Sequence, residues 1–302
     1  MKTVLITGGT GLVGNRMTHF LTEKGYNVRY LSRKGDLNAE IPRYEWNIDK
    51  GTIEENAFDG VDHIIHLAGA GVADKRWTAT RKKEIIDSRV DSTAILAKYL
   101  SQLTEKPTSI VSASAIGYYG DTGSNIVDES TGKGEGFLSE TTEMWEKSVE
   151  TMATLAGVPT AWVRVGIVMS MKGGAMEKMV LPFKFGIGNT LGSGDQYYSW
   201  IHIDDICKLF IFLMENNAQG PYNGVAPRPA TNKEITKSIG RAMGRSLILP
   251  APAFALKLAL GEMADMVLLS NRCSAEKVLE AGYQFEYADL DVAMKDLVTR
   301  KV

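Results

Sequence analysis

One short stretch constrains this chain more than any other. In Thr7-Gly8-Gly9-Thr10-Gly11-Leu12-Val13-Gly14, the glycines Gly8, Gly11 and Gly14 stand in a GxxGxxG spacing. The stretch follows the apolar run Val4-Leu5-Ile6 and opens a helical pattern over 15–24, with apolar Met17, Phe20 and Leu21. In such a place one glycine permits a tight turn, one lets the backbone approach a pyrophosphate, and the third lets helix and sheet pack closely. The free N–H groups at the helix start then face the anion. Elsewhere the same spacing is an ordinary glycine turn; strand, loop and helix in this order give it meaning.

The remaining first half alternates apolar strands with helical patterns. Strands are expected at 27–31, 61–67, 109–112 and 160–165, and helices at 84–103 and 143–155. That alternation calls for a parallel sheet covered on both faces. From Met169 the texture changes, and glycines cluster between Gly173 and Gly194 as in loops that wrap a ligand. Helical patterns return at 204–216, 253–269, 275–281 and 289–298. The expected fold is therefore α/β: a Rossmann-type doubly wound parallel sheet with a smaller C-terminal, mostly helical substrate domain. Residues 1–168, with 203–225 returning, form the first unit. Residues 169–202 and 226–302 form the second, packed against it without a tether.

Composition removes several function classes. Against 34 basic residues stand 36 acidic ones, a net charge of −2, which gives no global attraction to nucleic acid or to an anionic membrane. The cysteines Cys207 and Cys273 form no CxxC pair, in keeping with a reducing compartment. No signal-type apolar region opens the sequence and no run reaches the ~18 apolar residues of a membrane helix, so cytoplasm is the expected location. His63 and His66 point to opposite faces of one strand, and His202 has no third ligand at metal spacing, so no metal is expected. Asp204 and Asp205 read as caps of the helix that follows.

Cofactor preference is decided about twenty residues past the glycines, where NAD-binding chains carry an acid for the ribose hydroxyls. Here the second strand ends Leu31-Ser32-Arg33-Lys34, with no acid before Asp36. A hydroxyl and a forked cation suit a 2′-phosphate, so NADP(H) is the expected cofactor.

Further stretches are Lys75-Arg76-Trp77, Gly117-Tyr118-Tyr119-Gly120, Trp145-Glu146, Arg164-Val165-Gly166 and Trp200-Ile201-His202-Ile203-Asp204-Asp205. With these, His66-Leu67-Ala68-Gly69 and the glycine loop, the chain resembles the extended short-chain dehydrogenase/reductases. More narrowly it resembles their atypical branch, the YfcH-like epimerase-family proteins with a C-terminal domain of unknown function. The resemblance implies that Leu67, Ala68 and Gly69 line adenosine and ribose and that Val168 lies against the nicotinamide. It also implies that Arg89 serves the cofactor phosphates with Glu84 as helper. Read from the residues alone, Glu84 and Arg89 equally fit a solvated helix face.

One part of the family pattern is missing. Active members carry a Ser or Thr and a Tyr-x-x-x-Lys, the lysine lowering the tyrosine pKa for proton exchange. Counting back from Glu146, Leu138 stands at the tyrosine position and Thr142 at the lysine position. Ser114 fits the serine role, and Tyr118 and Tyr119 are the candidate substitutes; their other reading is packing. Tyr198 stands where nucleotide-sugar enzymes commonly carry a phosphate-binding arginine. Gln196, Tyr198 and Trp200 are expected to wall a substrate pocket with aromatic faces and few charges, suited to an uncharged small molecule. Two functions stay open: an NADP-dependent oxidoreductase or epimerase with an altered relay, or a non-catalytic NADP(H)-binding sensor.

Overall fold

The computed structural model describes residues 1–246 and 250–300, so 247–249 and 301–302 of the C-terminal region lie outside it. The chain opens with β1 (Thr3–Thr7), buried throughout, then α1 (Leu12–Glu23), β2 (Asn27–Ser32), β3 (Arg43–Asn47), β4 (Thr52–Ile53) and β5 (His63–His66). Next come α2 (Ala79–Gln102), β6 (Ser109–Ala115), β7 (Ile126–Val127), α3 (Phe137–Ala156) and β8 (Thr160–Val165). The central sheet runs β12-β8-β6-β5-β1-β2-β3-β4, where β12 is Gly220–Gly224. Every pairing in it is parallel except that of β3 with β4. Strand order reverses between β1 and β5, so a crevice opens at their C-terminal ends, where doubly wound sheets bind ligands.

Two apolar cores cover the sheet. One joins Val4 and Ile6 to Met17 and Leu21 of α1 and to Ile206 and Phe210 of α5 (Ile203–Glu215). The other joins Leu5, Ile64 and Ile110 to Leu96 of α2 and Trp145 and Met152 of α3. Alternate residues of one strand thus feed opposite cores, as the period-2 geometry of a strand demands.

Between β8 and α5 lie β9 (Ile167–Met169), α4 (Gly174–Lys184), β10 (Tyr197–Tyr198) and β11 (Trp200–His202). Here the structure departs from the glycine-loop expectation. Met176, Val180 and Phe183 recur at helical spacing and are fully buried, and that stripe outweighs the flanking glycines. After β12 follow β13 (Ala230–Thr231), α6 (Asn232–Met243), α7 (Ala253–Leu260), α8 (Asp265–Leu268), β14 (Arg272–Cys273), α9 (Glu276–Glu280) and α10 (Leu290–Thr299). The pattern over 253–269 is not one helix, because Gly261 adopts φ 61 and stops it. The sequence reading missed α6, which Thr231 and Glu234 start with a reciprocal capping box.

The C-terminal segment is sewn onto the sheet side. Asn271 Nδ2 and Ser270 Oγ donate to the carbonyls of Gly120 and Gly123, and Thr122 N donates to Ser270 O. On its other flank Ser199 Oγ donates to Asn271 O and accepts from Cys273 N.

The Asp204–Asp205 pair does not cap α5. His202 holds the N-cap, its Nδ1 accepting from Asp204 N. The Asp204 carboxylate is held by Arg16 and Arg300, and that of Asp205 accepts from the backbone N–H groups of Glu286 and Tyr287. Both acids pin distant segments together instead.

Candidate active site

The crevice beside β1 is a cleft of about 790 Å³, lined by Gly8, Gly9, Thr10, Gly11, Ser32, Arg33, Leu67, Ala68, Gly69 and Glu84 among others. The glycines are required by shape. Gly8 has φ +69, and a Cβ there would stand 2.9 Å from the Leu67 carbonyl. A Cβ on Gly14 would stand 2.6 Å from Gly8 O, so this glycine sets how closely α1 approaches the loop. Gly11, the N-cap of α1, carries no capping side chain, which leaves the first-turn N–H groups of Leu12 and Val13 for an anion. Thr7 ties the two loops together, its Oγ1 accepting from Leu67 N and Ala68 N at 3.1 Å.

Leu12, Val13 and Gly14 form the first turn of α1 behind the cleft-lining Gly11, so what they can offer the cleft is their backbone N–H groups, not their side chains. Arg89 is no solvated residue. Its Nη1 donates to Ala70 O at 3.0 Å and Ile85 O at 2.8 Å, and the guanidinium rests 4.9 Å from the Trp145 ring. Burial, with Arg81 nearby, lowers its pKa to about 10. Glu84 does face solvent at the cleft edge, paired with Arg81 at 2.7 Å. Trp46, Asn47, Ile48 and Asp49 also line the cleft and were missed. They end and follow β3, whose charged Arg43-Tyr44-Glu45-Trp46-Asn47 carries no apolar run to mark it as a strand.

A second cavity of about 390 Å³ opens between the sheet and the C-terminal segment. Ile116, Gly117, Leu138, Val165, Gly166 and Ile167 line its sheet side, Trp77 and Phe137 one wall, and Tyr197, Tyr198, Met266 and Leu269 the other. Leu138 and Tyr198 therefore face the cavity. Gln196 and Trp200 do not: Gln196 Nε2 donates to Leu191 O and Val267 O, and the fully buried Trp200 donates to Arg228 O. Both build the wall from behind. Val168, in β9, pairs with Ile201 of β11, and its neighbours Val165–Ile167 reach the cavity in its stead.

The three relay candidates sit elsewhere, in a buried network under the cavity floor. Ser114 Oγ donates to Glu146 Oε1 at 2.5 Å, and both Glu146 oxygens accept from Arg164 at 2.8 Å. Arg164 also donates to Tyr119 Oη, which donates to Asn223 Oδ1, and its guanidinium lies 3.7 Å from the Tyr118 ring centre. Burial pushes the Tyr119 phenol up, so it holds its proton. None of Ser114, Tyr118 and Tyr119 lines either cavity. The packing reading describes the two tyrosines, and Arg164, unremarked as a candidate, organises them all. Among the described residues no three potential metal ligands converge.

A mostly parallel sheet with its crevice at the β1–β5 switch, a glycine loop and a C-terminal segment bordering a second cavity define a Rossmann-type protein of the extended short-chain dehydrogenase/reductase class. Residues 4–225 match the NAD dependent epimerase/dehydratase family, and the chain belongs to it. Residues 251–297 match a domain of unknown function, DUF1731. The chain is 34% identical to epimerase family protein YfhF of Bacillus subtilis over 298 residues, covering 98% of this chain and 97% of that one. A crystal structure of human epimerase family protein SDR39U1 with NADPH superposes with TM-score 0.87 at 31% identity, covering 99% of this chain and 100% of the human one. A UDP-N-acetylglucosamine 4-epimerase from Bacillus cereus, at 18% identity and TM-score 0.78, shares the fold. No helix among the described residues is long and apolar enough to cross a membrane.

Proposed function

We propose that this chain is an NADP(H)-dependent oxidoreductase or epimerase acting on a compact, phosphate-free small molecule in the cytoplasm. One observation carries the cofactor assignment: the β2 end presents Ser32 and Arg33, with no acid, into a cleft whose glycines leave no room for a Cβ. The NADPH-bound human relative supports it. Gly8–Gly14 and the α1 N-terminus would hold the pyrophosphate, Ser32 and Arg33 the 2′-phosphate, and Leu67–Gly69 the adenosine side. Arg89 adds positive charge beneath Gly69, its Cζ lying 3.2 Å from where a Cβ on that glycine would stand. A bound nicotinamide would supply or accept hydride at the β6 and β8 ends.

What the chain's own groups do there is mostly shape and exclusion. Leu138 fills the position where a phenol would deliver a proton, and it offers none. Thr142 donates to Leu138 O at 2.7 Å and so closes its own helix turn. A second reading, an NADP(H)-binding sensor, draws support from the locked Ser114. The experiment is a calorimetric titration of NADPH and NADH into wild type and Arg33→Ala. Tighter NADPH binding that loses its preference in Arg33→Ala is expected; equal or absent binding of both nucleotides in wild type overturns the assignment.

A further inference from the structure

His66 closes β5 immediately before the cleft-lining Leu67, and its ring is fully buried. Nδ1 lies 2.7 Å from Thr7 Oγ1, and Nε2 lies 3.1 Å from Thr93 Oγ1. The hydrogens along this line have one arrangement. Thr7 Oγ1 already accepts from Leu67 N and Ala68 N, so its own proton goes to Nδ1. The ring proton therefore sits on Nε2 and is donated to Thr93 Oγ1, whose own proton goes to Arg89 O at 2.7 Å. Burial keeps the ring neutral, its pKa lowered to about 3.

Each end of this line holds a piece of the first cleft. Thr7 leads into Gly8, Leu67 and Ala68 line the cleft from the β5 side, and Arg89 sits beneath Gly69. These pieces meet closely: a Cβ on Gly8 would stand 2.9 Å from Leu67 O, and one on Gly69 would stand 3.2 Å from Arg89 Cζ. The sheet ladder sets Thr7 beside His66, but no ladder reaches α2. Ala70 bonds to Ser88 and Arg89, which ties α2 to the loop beyond β5. The line through His66 and Thr93 ties the same turn of α2 to the strands themselves.

We infer that His66 is a positioning residue for the nucleotide. Through Thr7 and Thr93 it sets the spacing of the glycine loop, the Leu67–Gly69 edge and the α2 turn that carries Arg89. The inference rests on the NADP(H) reading and adds to it a group that does not itself line the cleft. It makes the Thr93 hydroxyl matter more than the Thr93 shape, which a purely space-filling role would reverse.

That contrast is the test. Thr93→Val keeps the shape and removes the hydroxyl, while Thr93→Ser keeps the hydroxyl and removes a methyl. NADPH binding to the full chain is measured by calorimetry, with melting temperatures to show that both variants are folded. Thr93→Val is expected to weaken NADPH about tenfold, as for one buried hydrogen bond lost, and Thr93→Ser to stay within about twofold of wild type. A second measurement needs no variant: nitrogen-15 NMR of the wild-type histidine rings at pH 7 should show His66 protonated on Nε2. The inference is overturned if Thr93→Val binds NADPH like wild type, if Thr93→Ser weakens binding as much as Thr93→Val, or if the ring carries its proton on Nδ1. Each of these leaves the cofactor reading standing. Absent NADPH binding by wild type would overturn that reading and the inference together.

Discussion

Arg164→Met is the most informative single change, because it removes one half of a buried, doubly bonded ion pair. Arg164 and Glu146 side chains are 4% and 6% exposed, and two 2.8 Å hydrogen bonds join them. Burial by itself would lower the Arg164 pKa, but the Glu146 carboxylate holds the guanidinium proton and the net shift is upward. Without Arg164, Glu146 keeps only the Ser114 hydroxyl, and an uncompensated buried charge of this kind costs about 3–5 kcal/mol. For a chain of this size that is a fall in melting temperature on the order of 10 °C. Glu146→Leu/Arg164→Met removes both charges and should recover most of the stability. Urea denaturation of the three proteins at pH 7 measures both effects. A deficit below 1 kcal/mol, or a double variant worse than the single one, would refute the reasoning.

Three further outcomes are expected. Gly14→Ala should abolish NADPH binding in a calorimetric titration, because its Cβ would lie 2.6 Å from both Gly8 O and Gly9 Cα; unchanged affinity would deny the loop its role. Burial holds His66 at about 3 and His202 at about 4, while the unfolded chain titrates near 6.5. The unfolded state thus takes up protons first, and unfolding free energy should fall by roughly 2–3 kcal/mol per pH unit between pH 6 and 4.5. Asp205, raised by burial, works in the opposite sense, but a flat profile from denaturation curves would contradict the histidine account. Lys82→Ala, which breaks an exposed pair with Glu262, should cost under about 1 kcal/mol in the same assay, and a larger loss would mean this latch holds the fold.

The sheet was legible because it is built from local signals. Val4-Leu5-Ile6, the glycine triplet and the stripe of α1 each announce themselves within a few residues. The glycine loop was legible for the same reason, since Gly8 and Gly14 answer a backbone requirement. The relay was not. Ser114 and Tyr119 have the right types in the right order, yet their partners Glu146, Arg164 and Asn223 lie 32 to 104 positions away. Only the assembled sheet turns those hydroxyls toward each other. Gln196 and Trp200 failed likewise, because their polar atoms are taken by carbonyls of remote segments, a matter of tertiary packing that spacing does not encode. The α4 stripe was hidden by glycines at its ends, where they interrupt no buried position.

The stitches made by residues 267–273 also fix when the site can exist. A ribosome delivers β1 to β8 first, and those strands hold most of the crevice. The second cavity must wait for Met266, Leu269 and Asn271, and the loops at Gly120 and Gly123 must wait for the same segment to satisfy their carbonyls. During synthesis the nascent protein would thus acquire its first cleft well before it can close the second cavity.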